Sequence, residues 1–304
     1  MLSNKTIIYY IKRLIALVNF RGRTFENISL LNGSILANQV KKMDKIKDLS
    51  DVEFSIFSQF GDDGIIQYLI NKIEVKNKTF IEFGVEDYLE SNTRFLLMHD
   101  NWSGLCIDGD DKNIRYLKSQ SWFWKYDLCA EGHFLTKENI NELLADRFED
   151  IEIGLLHVDI DGNDYWVWKE INSVKPIILI LEYNSVFGIE RKITIPYRED
   201  FTRSKAYFNN LYWGASLAAL NDISEKKGYS LIGCNRAGNN AYFIKNEYLG
   251  EIEKKTVEEA FVLSKYRESR SQKGKLTYLR GKERYESLKG LPVYNIETEK
   301  LEEL

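Results

Sequence analysis

The chain is poor in cysteine and proline, with three of each among 304 residues. Cys106, Cys129 and Cys234 are scattered and form no C-x-x-C pair, so the sequence indicates neither a disulfide framework nor a zinc–thiolate site. We interpret this cysteine usage as that of a protein in a reducing cytoplasm. No Pro/Gly/Ser-rich linker interrupts the chain, which favours one continuous domain with terminal additions.

Strong net charge and long apolar runs are missing as well. The formal charge of −4 argues against nucleic acid as a partner. The apolar stretch 7–20 contains Lys12 and Arg13, is too short and too charged to span a bilayer, and has no signal-peptide cleavage pattern. We expect residues 1–50 to form a helical extension. Segment 7–20 then packs on the domain or on a second subunit of a homo-oligomer, or it lies on the inner-membrane surface as a peripheral amphipathic helix.

From residue 51, short apolar runs that end in acidic residues alternate with helical patterns. This alternation predicts an α/β fold with a doubly wound, mostly parallel sheet. A hairpin pattern follows and completes a seven-stranded sheet with an antiparallel last strand. We expect this domain to cover residues 51–250, and a charged, helical C-terminal tail to cover 251–304. The runs are TFIEFG (79–84), GLCIDG (104–109), FWKYDL (123–128), IGLLHVDIDG (153–162) and PIILILEYN (176–184), and the hairpin strands are YSLIGCN and NAYFIKN.

The turn after the first expected strand is not a phosphate-binding turn. A dinucleotide site needs G-x-G-x-x-G there, so that the backbone can approach a pyrophosphate. The segment EFGVEDY has one glycine, Gly84, and the acids Glu82, Glu86 and Asp87 would repel phosphate. A cationic cofactor without phosphate fits better, and S-adenosylmethionine has a sulfonium, an ammonium and ribose hydroxyls.

Further side chains near the expected strand ends are candidate cofactor contacts. Asp108, followed by Gly109, could accept both ribose hydroxyls. Asp127 could accept the adenine amine at the end of the third expected strand. Such acids are also common helix N-caps, which is the alternative here. Ser58 with Gln59 and Asn92 with Thr93 could bind the amino-acid end of the cofactor, with helix capping again as the alternative.

Together these motifs resemble the class I S-adenosylmethionine-dependent methyltransferases over about residues 54–246. FSQFGDDG (57–64), with the DIDGNDYW and EYN blocks, is similar to the FkbM-like methyltransferases of bacterial surface-polysaccharide clusters. The resemblance implies a Rossmann-like fold, S-adenosylmethionine as cofactor and a carbohydrate-type acceptor. It implies O-methylation of a sugar or phosphorylated substituent of capsule, lipopolysaccharide or a precursor. The second glycine of the usual first motif is absent here, where the loop EDYLESNT stands instead.

Carboxylates also gather after the fourth and fifth expected strands, and three interpretations compete. In the first, Asp161 and Asp164 only cap and precede the following helix, and Asp159 accepts backbone N–H groups. In the second, one carboxylate is a general base with a raised pKa, and we choose Asp161 over Asp159. In the third, Asp159, Glu182 and Asn184 hold Mg²⁺ or Mn²⁺, which lowers the pKa of a substrate hydroxyl. Strand alternation places His157, Asp159 and Asp161 on one side, and His157 is a base, a ligand or a core residue.

The acceptor side is less specific in sequence. Four residues are candidates to hold the acceptor: Tyr183, Tyr197, Arg198 and Arg203. The basic run 265–284 is either a solvated face or a contact for an acidic glycan, a phosphate or a partner subunit. We therefore predict an O-methyltransferase. The alternatives are a nucleotide-dependent reductase on a Rossmann-like fold and a catalytically inactive scaffold subunit.

Overall fold

The computed structural model describes residues 4–148 and 151–304. Within these residues the helices are α1 Asn4–Lys41, α2 Asp62–Lys72, α3 Arg94–His99, α4 Asp111–Ser119, α5 Ile140–Phe148, α6 Asp164–Glu170, α7 Arg203–Ala206, α8 Leu217–Lys226, α9 Val257–Ala260 and α10 Lys282–Glu286. The strands are β1 Thr79–Phe83, β2 Ser103–Asp108, β3 Leu128–Gly132, β4 Ile151–Val158, β5 Val174–Glu182, β6 Ile193–Thr194, β7 Tyr229–Cys234, β8 Asn240–Lys245, β9 Pro292–Asn295 and β10 Lys300–Glu303.

The main sheet has seven strands in the order β3-β2-β1-β4-β5-β8-β7. The neighbours from β3 to β5 run parallel, and β8 runs antiparallel to both β5 and β7. Two apolar clusters cover opposite faces of the sheet, which explains why the inner strands are nearly continuous apolar runs. The predicted fold class is confirmed: this is a Rossmann-like sheet with one reversed strand near its edge.

The third strand lies later in the chain than predicted. The run 123–128 does not form it, because Phe123–Lys125 is a 3₁₀ turn and β3 begins only at Leu128. The aromatic residues Trp122, Phe123 and Tyr126 pack together before the strand instead. Asp127 therefore lies at the amino end of β3, on the far edge of the sheet from the strand ends that bind ligands. The predicted contact between Asp127 and adenine is wrong for this reason.

The C-terminal segment is not the predicted helical tail. Its helices α9 and α10 are only four and five residues long. Strand β9 pairs with both β6 and β10 in a second, three-stranded sheet. Buried Val293 and Leu288 join Ile193 in the apolar cluster beneath this sheet. Residues 251–304 thereby fold back against the main domain.

The N-terminal extension is helical, as predicted, and its C-terminal part packs on the domain. Ala37 and Val40 of α1 are buried, and Ala37 lies beside Phe57 and Phe95. The side chains of most of segment 7–20 lie outside the described residues, so its predicted packing or membrane contact stays a prediction. Among the described residues no helix has both the length and the apolar character needed to cross a bilayer.

Candidate active site

A cleft of about 790 Å³ opens at the carboxyl ends of β1, β2, β4 and β5. This is where ligands bind in parallel α/β sheets, because the loops after adjacent strands diverge there. Its walls come from the following residues: Gln59, Phe60, Asp62, Glu82, Gly84, Val85, Glu86, Glu90, Ser91, Asn92, Ile107, Asp108, Gly109, Asp110, Asn113, His133, Phe134, Leu135, His157, Asp159, Ile160, Asp161, Asn163, Glu182, Phe201, Thr202, Arg203, Asn239, Asn240, Tyr266 and Glu268.

Gly84 brings the loops after β1 and β4 into contact. Its φ is +73°, and a Cβ atom at this position would lie 1.6 Å from the carbonyl oxygen of Asp159. Only glycine combines this backbone conformation with so close an approach. The single glycine of the first motif therefore joins the two halves of the cleft, although the phosphate-binding glycines are missing.

At the centre of the cleft floor, Glu82 and His157 form a buried ion pair. Their Cα atoms are register partners on β1 and β4, and Oε1 of Glu82 lies 3.1 Å from Nδ1 of His157. Burial would raise the pKa of Glu82, but the hydrogen bond and charge of His157, together with the hydrogen bonds of Ser91 and Thr93, hold that pKa below its usual value. Burial likewise opposes the cation on His157, and Glu82 raises the pKa of the imidazole above its usual value.

Glu82 also organises the loop that replaces the usual glycine turn. Its carboxylate accepts hydrogen bonds from Ser91 Oγ (2.6 Å), from the backbone N–H of Asn92 (2.9 Å) and from Thr93 Oγ1. Both oxygens are thus engaged by protein groups. Glu82 therefore holds this loop, and with it the side chain of Asn92, at the cleft wall.

Asp108 ends β2 and faces the other half of the cleft. Its Oδ1 accepts hydrogen bonds from the Asp110 N–H (2.8 Å) and from Asn113 Nδ2 (3.1 Å), and its Oδ2 accepts one from the Glu86 N–H (2.8 Å). A carboxylate can accept about four hydrogen bonds, so this one retains capacity on Oδ2. Asp108 is therefore held in place with one acceptor position open for a ligand hydroxyl.

The cleft wall beside Asp108 consists of residues that the sequence analysis did not identify. His133, Phe134 and Leu135 directly follow β3, and the ring of Phe134 lies 3.3 Å from the position of a Cβ at Gly109. Phe134 is 48% exposed, which leaves its ring face available to a planar ligand. The aromatic–apolar pair at 134–135 could have indicated this wall in the sequence. It was missed because the third strand was predicted at 123–128, too early in the chain for residues 133–135 to follow its end.

The opposite half of the cleft holds a cluster of three carboxylates. Asp159, Asp161 and Glu182 each offer an oxygen within 4.8 Å of the others. Burial, followed by the charges of Asp159 and Asp161, raises the pKa of Glu182 well above its usual value. Burial also raises the pKa of Asp159 to about 6, while the charge of His157 and a hydrogen bond with Glu182 lower it. Burial and their mutual repulsion therefore make Asp159 and Glu182 harder to ionise together than two isolated carboxyl groups.

Arg203 is the counter-ion of this cluster. Its NH1 lies 2.6 Å from Asp161 Oδ1, and its NH2 forms an ion pair with Glu268. The guanidinium also stacks on Trp213, 4.6 Å from the ring centroid. The predicted acceptor residue Arg203 thus lies in the cleft, but two carboxylates neutralise its charge. It is not a free site for an anionic acceptor.

Several cleft residues retain unpaired hydrogen-bond acceptors. Within the described chain, four of them keep a buried side-chain oxygen without a hydrogen-bond partner: Asn163 Oδ1, Glu182 Oε2, Asn240 Oδ1 and Glu268 Oε1. Buried polar atoms are usually satisfied, so a group of unpaired oxygens marks a place where ligand donors are expected. Hydroxyl groups or a metal ion can supply that missing partner.

Of the three predicted metal ligands, Asn184 is not available. Its Nδ2 donates to the carbonyls of Leu211 and Trp213, both at 2.9 Å, and its Oδ1 accepts from the Val186 N–H. The side chain instead fixes the turn after β5, and Asp161 takes its place in the carboxylate cluster. Asp164, as predicted, begins α6, where its oxygens accept the N–H groups of Ile160 and Gly162.

Some predicted ligand contacts also lie outside the cleft. The Ser58 hydroxyl donates to Asp63, 3.0 Å away, and Thr93 is fully buried behind the wall. Tyr183 is buried on the other side of β5, where its hydroxyl donates to the Val262 carbonyl at 2.6 Å. Gln59 and Asn92, the neighbours of Ser58 and Thr93, do line the cleft.

Tyr197 and Arg198 likewise do not reach the cleft. The Tyr197 hydroxyl donates to Glu138, and Arg198 pairs with Asp200 at 3.1 Å on the surface. The irregular run that contains them does approach the cleft farther along the chain, through Phe201, Thr202 and Arg203. Only the end of this run therefore lines the cleft, and its contact with an acceptor stays a prediction.

No family model matches the chain. A stretch of 86 residues is 34% identical to a protein of Enterocytozoon bieneusi (strain H348) named "Probable isoleucine--tRNA ligase, cytoplasmic". This match covers 27% of the present chain and 9% of that protein. The chain thus spans less than a tenth of the curated relative that it matches.

Solved structures with similar folds include the three that follow, two of which are named as SAM-dependent methyltransferases. The N-terminal domain of EvdMO1 with SAH bound has 12% identity and a TM-score of 0.40, over 62% of this chain and 81% of that one. A SAM-dependent methyltransferase from Aquifex aeolicus has 11% identity and a TM-score of 0.37, over 69% and 98%. One from Clostridium acetobutylicum ATCC 824 has 8% identity and a TM-score of 0.39, over 60% and 89%. The fold assignment itself rests on the strand order of the sheet.

Proposed function

We propose that the chain is an S-adenosylmethionine-dependent methyltransferase whose acceptor is a hydroxyl group of a carbohydrate. One observation carries this proposal. A single cleft at the carboxyl ends of the strands has Asp108, with an open acceptor position, in one half and the Asp159–Glu182 pair in the other. The first half suits a ribose, and the second suits a reaction that removes a proton from a hydroxyl.

The residues of the first half fit S-adenosylmethionine. Asp108 would accept a ribose hydroxyl, and Phe134 with Leu135 would cover the adenine face. Asn92 and Gln59 would bind the amino-acid end. The acids around the loop suit a cofactor that has a sulfonium and an ammonium and no phosphate, and they disfavour the reductase alternative, which needs a bound pyrophosphate.

When bound, S-adenosylmethionine supplies a methyl group on a positively charged sulfur. The chain then has to hold the acceptor hydroxyl in line and take up its proton. Asp159 suits this second task, since its pKa of about 6 leaves it ionised and still basic near neutral pH. Asp161 suits it less, because its side chain is 56% exposed and already bound to Arg203.

The acceptor half also fits a divalent cation. Asp159, Asp161 and Glu182 form an all-oxygen donor set, and Glu182 Oε2 is buried without a partner among the described residues. Mg²⁺ or Mn²⁺ suits such donors and would lower the pKa of a bound acceptor hydroxyl. We propose this cation as a second component of the site, with Asp159, Asp161 and Glu182 as its ligands.

The unpaired cleft oxygens support a polyhydroxylated acceptor. All four are acceptors, so they call for ligand groups that donate hydrogen bonds, as sugar hydroxyls do. A phosphate or carboxylate in the acceptor half of the cleft would meet Asp159, Asp161 and Glu182, with the charge of Arg203 already neutralised. The reacting unit is therefore an uncharged sugar, of the kind found in capsule or lipopolysaccharide precursors.

A thermal-shift experiment tests the proposal. The protein is heated with S-adenosylhomocysteine or with NADH, each in the presence of Mg²⁺ or of EDTA. S-adenosylhomocysteine at one hundred times its Kd should stabilise the fold by about 2.7 kcal/mol, whereas NADH should have no effect. Stabilisation by NADH alone would contradict the proposal. Equal stabilisation by S-adenosylhomocysteine in Mg²⁺ and in EDTA would support the methyltransferase proposal and contradict the proposed divalent cation.

A further inference from the structure

Residues 265–284, here called the basic strap, concentrate positive charge beside the acidic cleft. The strap has eight Lys or Arg residues and two Glu residues, a formal charge of +6 in a chain whose total is −4. A charge run of this kind is usually a solvated surface, so the placement of its side chains decides what it can do.

The strap sorts its side chains between the cleft and the solvent. Tyr266 and Glu268 line the cleft, and Tyr266 stacks on Phe60 with ring centroids 5.8 Å apart. The alternate residues Lys265 and Arg267 are exposed. This alternation is typical of an extended segment that forms a wall. The strap therefore contributes to the acceptor half of the cleft and presents cations directly outside it.

Backbone hydrogen bonds hold the middle of the strap in a hairpin. The Thr277 N–H donates to the Ser269 carbonyl at 2.8 Å, and the Ser271 N–H donates to the Lys275 carbonyl at 2.8 Å. The Arg270 N–H donates to Asn209 of the main body at 3.0 Å. The exposed residues Lys273 and Lys275 thus lie at the tip of a hairpin that these hydrogen bonds hold in place.

Most of the strap cations have no carboxylate counter-ion in the described chain, and Lys282, which pairs with Glu286, is the exception among the exposed ones. Elsewhere, lysines such as Lys192 and Lys245 each pair with two acids. Arg267 instead lies 5.9 Å from the ring centroid of Tyr278, and Arg270 donates to the Gly274 carbonyl. Six exposed strap cations have no ion pair among the described residues: Lys265, Arg267, Arg270, Lys273, Lys275 and Arg280.

We propose that the basic strap binds carboxylate groups of an acidic polysaccharide while one uncharged sugar of that polymer occupies the cleft. This inference rests on the proposed function, which places an acceptor sugar in the half of the cleft that Tyr266 and Glu268 line. Lys273 is five residues along the chain from Glu268, which lines the cleft, so it lies at most about 18 Å from that residue. Cations spread over such a length match several repeating units of a polymer better than a single small anion.

A binding experiment tests the strap. Fluorescence anisotropy measures the Kd of the full-length protein for a labelled oligogalacturonate, with a labelled dextran oligomer and a single-stranded RNA as comparisons. The double variant Lys273→Glu/Lys275→Glu removes the tip charge. The variant Lys45→Glu/Lys47→Glu is the matched control, since these lysines have the same spacing and are also exposed. S-adenosylhomocysteine binding is measured for every variant.

The wild type should bind oligogalacturonate and not dextran, and more weakly at higher salt. Each lysine near an anionic surface contributes about fivefold, so the tip variant should raise the Kd roughly 10- to 30-fold. The control variant and S-adenosylhomocysteine binding should not change. Equal affinity in both double variants, or tighter binding of RNA than of oligogalacturonate, would overturn the inference. If the wild type does not bind S-adenosylhomocysteine, the proposed function is overturned instead.

Discussion

Replacing Arg203 by methionine should destabilise the protein in a pH-dependent way. Methionine keeps most of the volume beside Trp213 but removes the charge that faces Asp161 and Glu268. Removing one partner of a buried pair costs about 3–5 kcal/mol. The Asp161 side chain is 56% exposed, so its pair contributes at most about 1 kcal/mol and Glu268 contributes the larger part. We expect a loss of about 3 kcal/mol.

This loss converts to a shift in Tm. Unfolding entropy is about 2.1 cal/mol/K per residue, so about 3 kcal/mol corresponds to a decrease of about 5 °C for a chain of 304 residues. Arg203 lowers the pKa values of Asp159 and Glu182, and without it both rise further. A carboxyl with a raised folded pKa loses stability as pH rises through that pKa. The decrease in Tm should therefore be small at pH 5 and full at pH 8.

Differential scanning calorimetry at pH 5, 6.5 and 8 measures this effect. Arg203→Lys is the matched control, because it keeps the charge and loses only the forked geometry. It should recover about half of the stability. A Tm decrease in Arg203→Met that is the same at all three pH values would refute the assignment of Arg203 as counter-ion of the carboxylates.

Three further substitutions test other parts of the site by the same calorimetry. Glu182→Gln replaces a carboxyl of raised pKa by a neutral isostere, so it should raise Tm at pH 8 and not at pH 5; a decrease at pH 8 would show that the ionised form is stabilised. Glu82→Gln breaks the buried pair with His157 and should lower Tm by about 5–8 °C. That decrease should be largest between pH 4.5 and 6.5, the ordinary pKa values of the two groups, and a pH-independent decrease would argue against an ion pair. Gly84→Ala should lower Tm by more than about 8 °C, because the Cβ would meet the Asp159 carbonyl. Gly188→Ala has the same φ of +73° and no atom within 4 Å, so only backbone strain remains and Tm should fall by about 2–5 °C. Equal effects would refute the close approach.

The sheet and one edge of the site could be predicted because their signals are local. The inner strands are nearly continuous apolar runs, and each has an acid at its end or next to it, so strand ends and acids could be predicted together. These acids are Glu82, Asp108, Asp159 and Glu182. Edge strand β3 has the short sequence LCAEG and pairs on one side only, with β2. The aromatic run before it is more strongly apolar, so the third strand was predicted at 123–128. Asp127 was for the same reason predicted at the carboxyl end of that strand, where it does not lie.

The partners of the site residues could not be predicted, because long-range contacts decide them. Nothing near Asn184 in sequence indicates that Leu211 and Trp213 bind its amide. Glu268, which neutralises Arg203, lies 65 residues away in a segment that was expected to be a helical tail. The charge pattern of the sequence identified the acids of the cleft. It could not show that Glu268 of the folded C-terminal segment pairs with Arg203, the counter-ion of those acids.

The most direct test of the central claim is isothermal titration of S-adenosylhomocysteine into the wild type, Asp108→Asn and Asp111→Asn. Asp111 is the matched control, since it is an exposed carboxylate three residues away that does not line the cleft. Hydrogen bonds to a charged group contribute about 1.5–3 kcal/mol, so Asp108→Asn should raise the Kd by at least about tenfold. Asp111→Asn should leave it within about twofold. Absence of binding in the wild type, or equal affinity in all three proteins, would contradict a cofactor bound at Asp108.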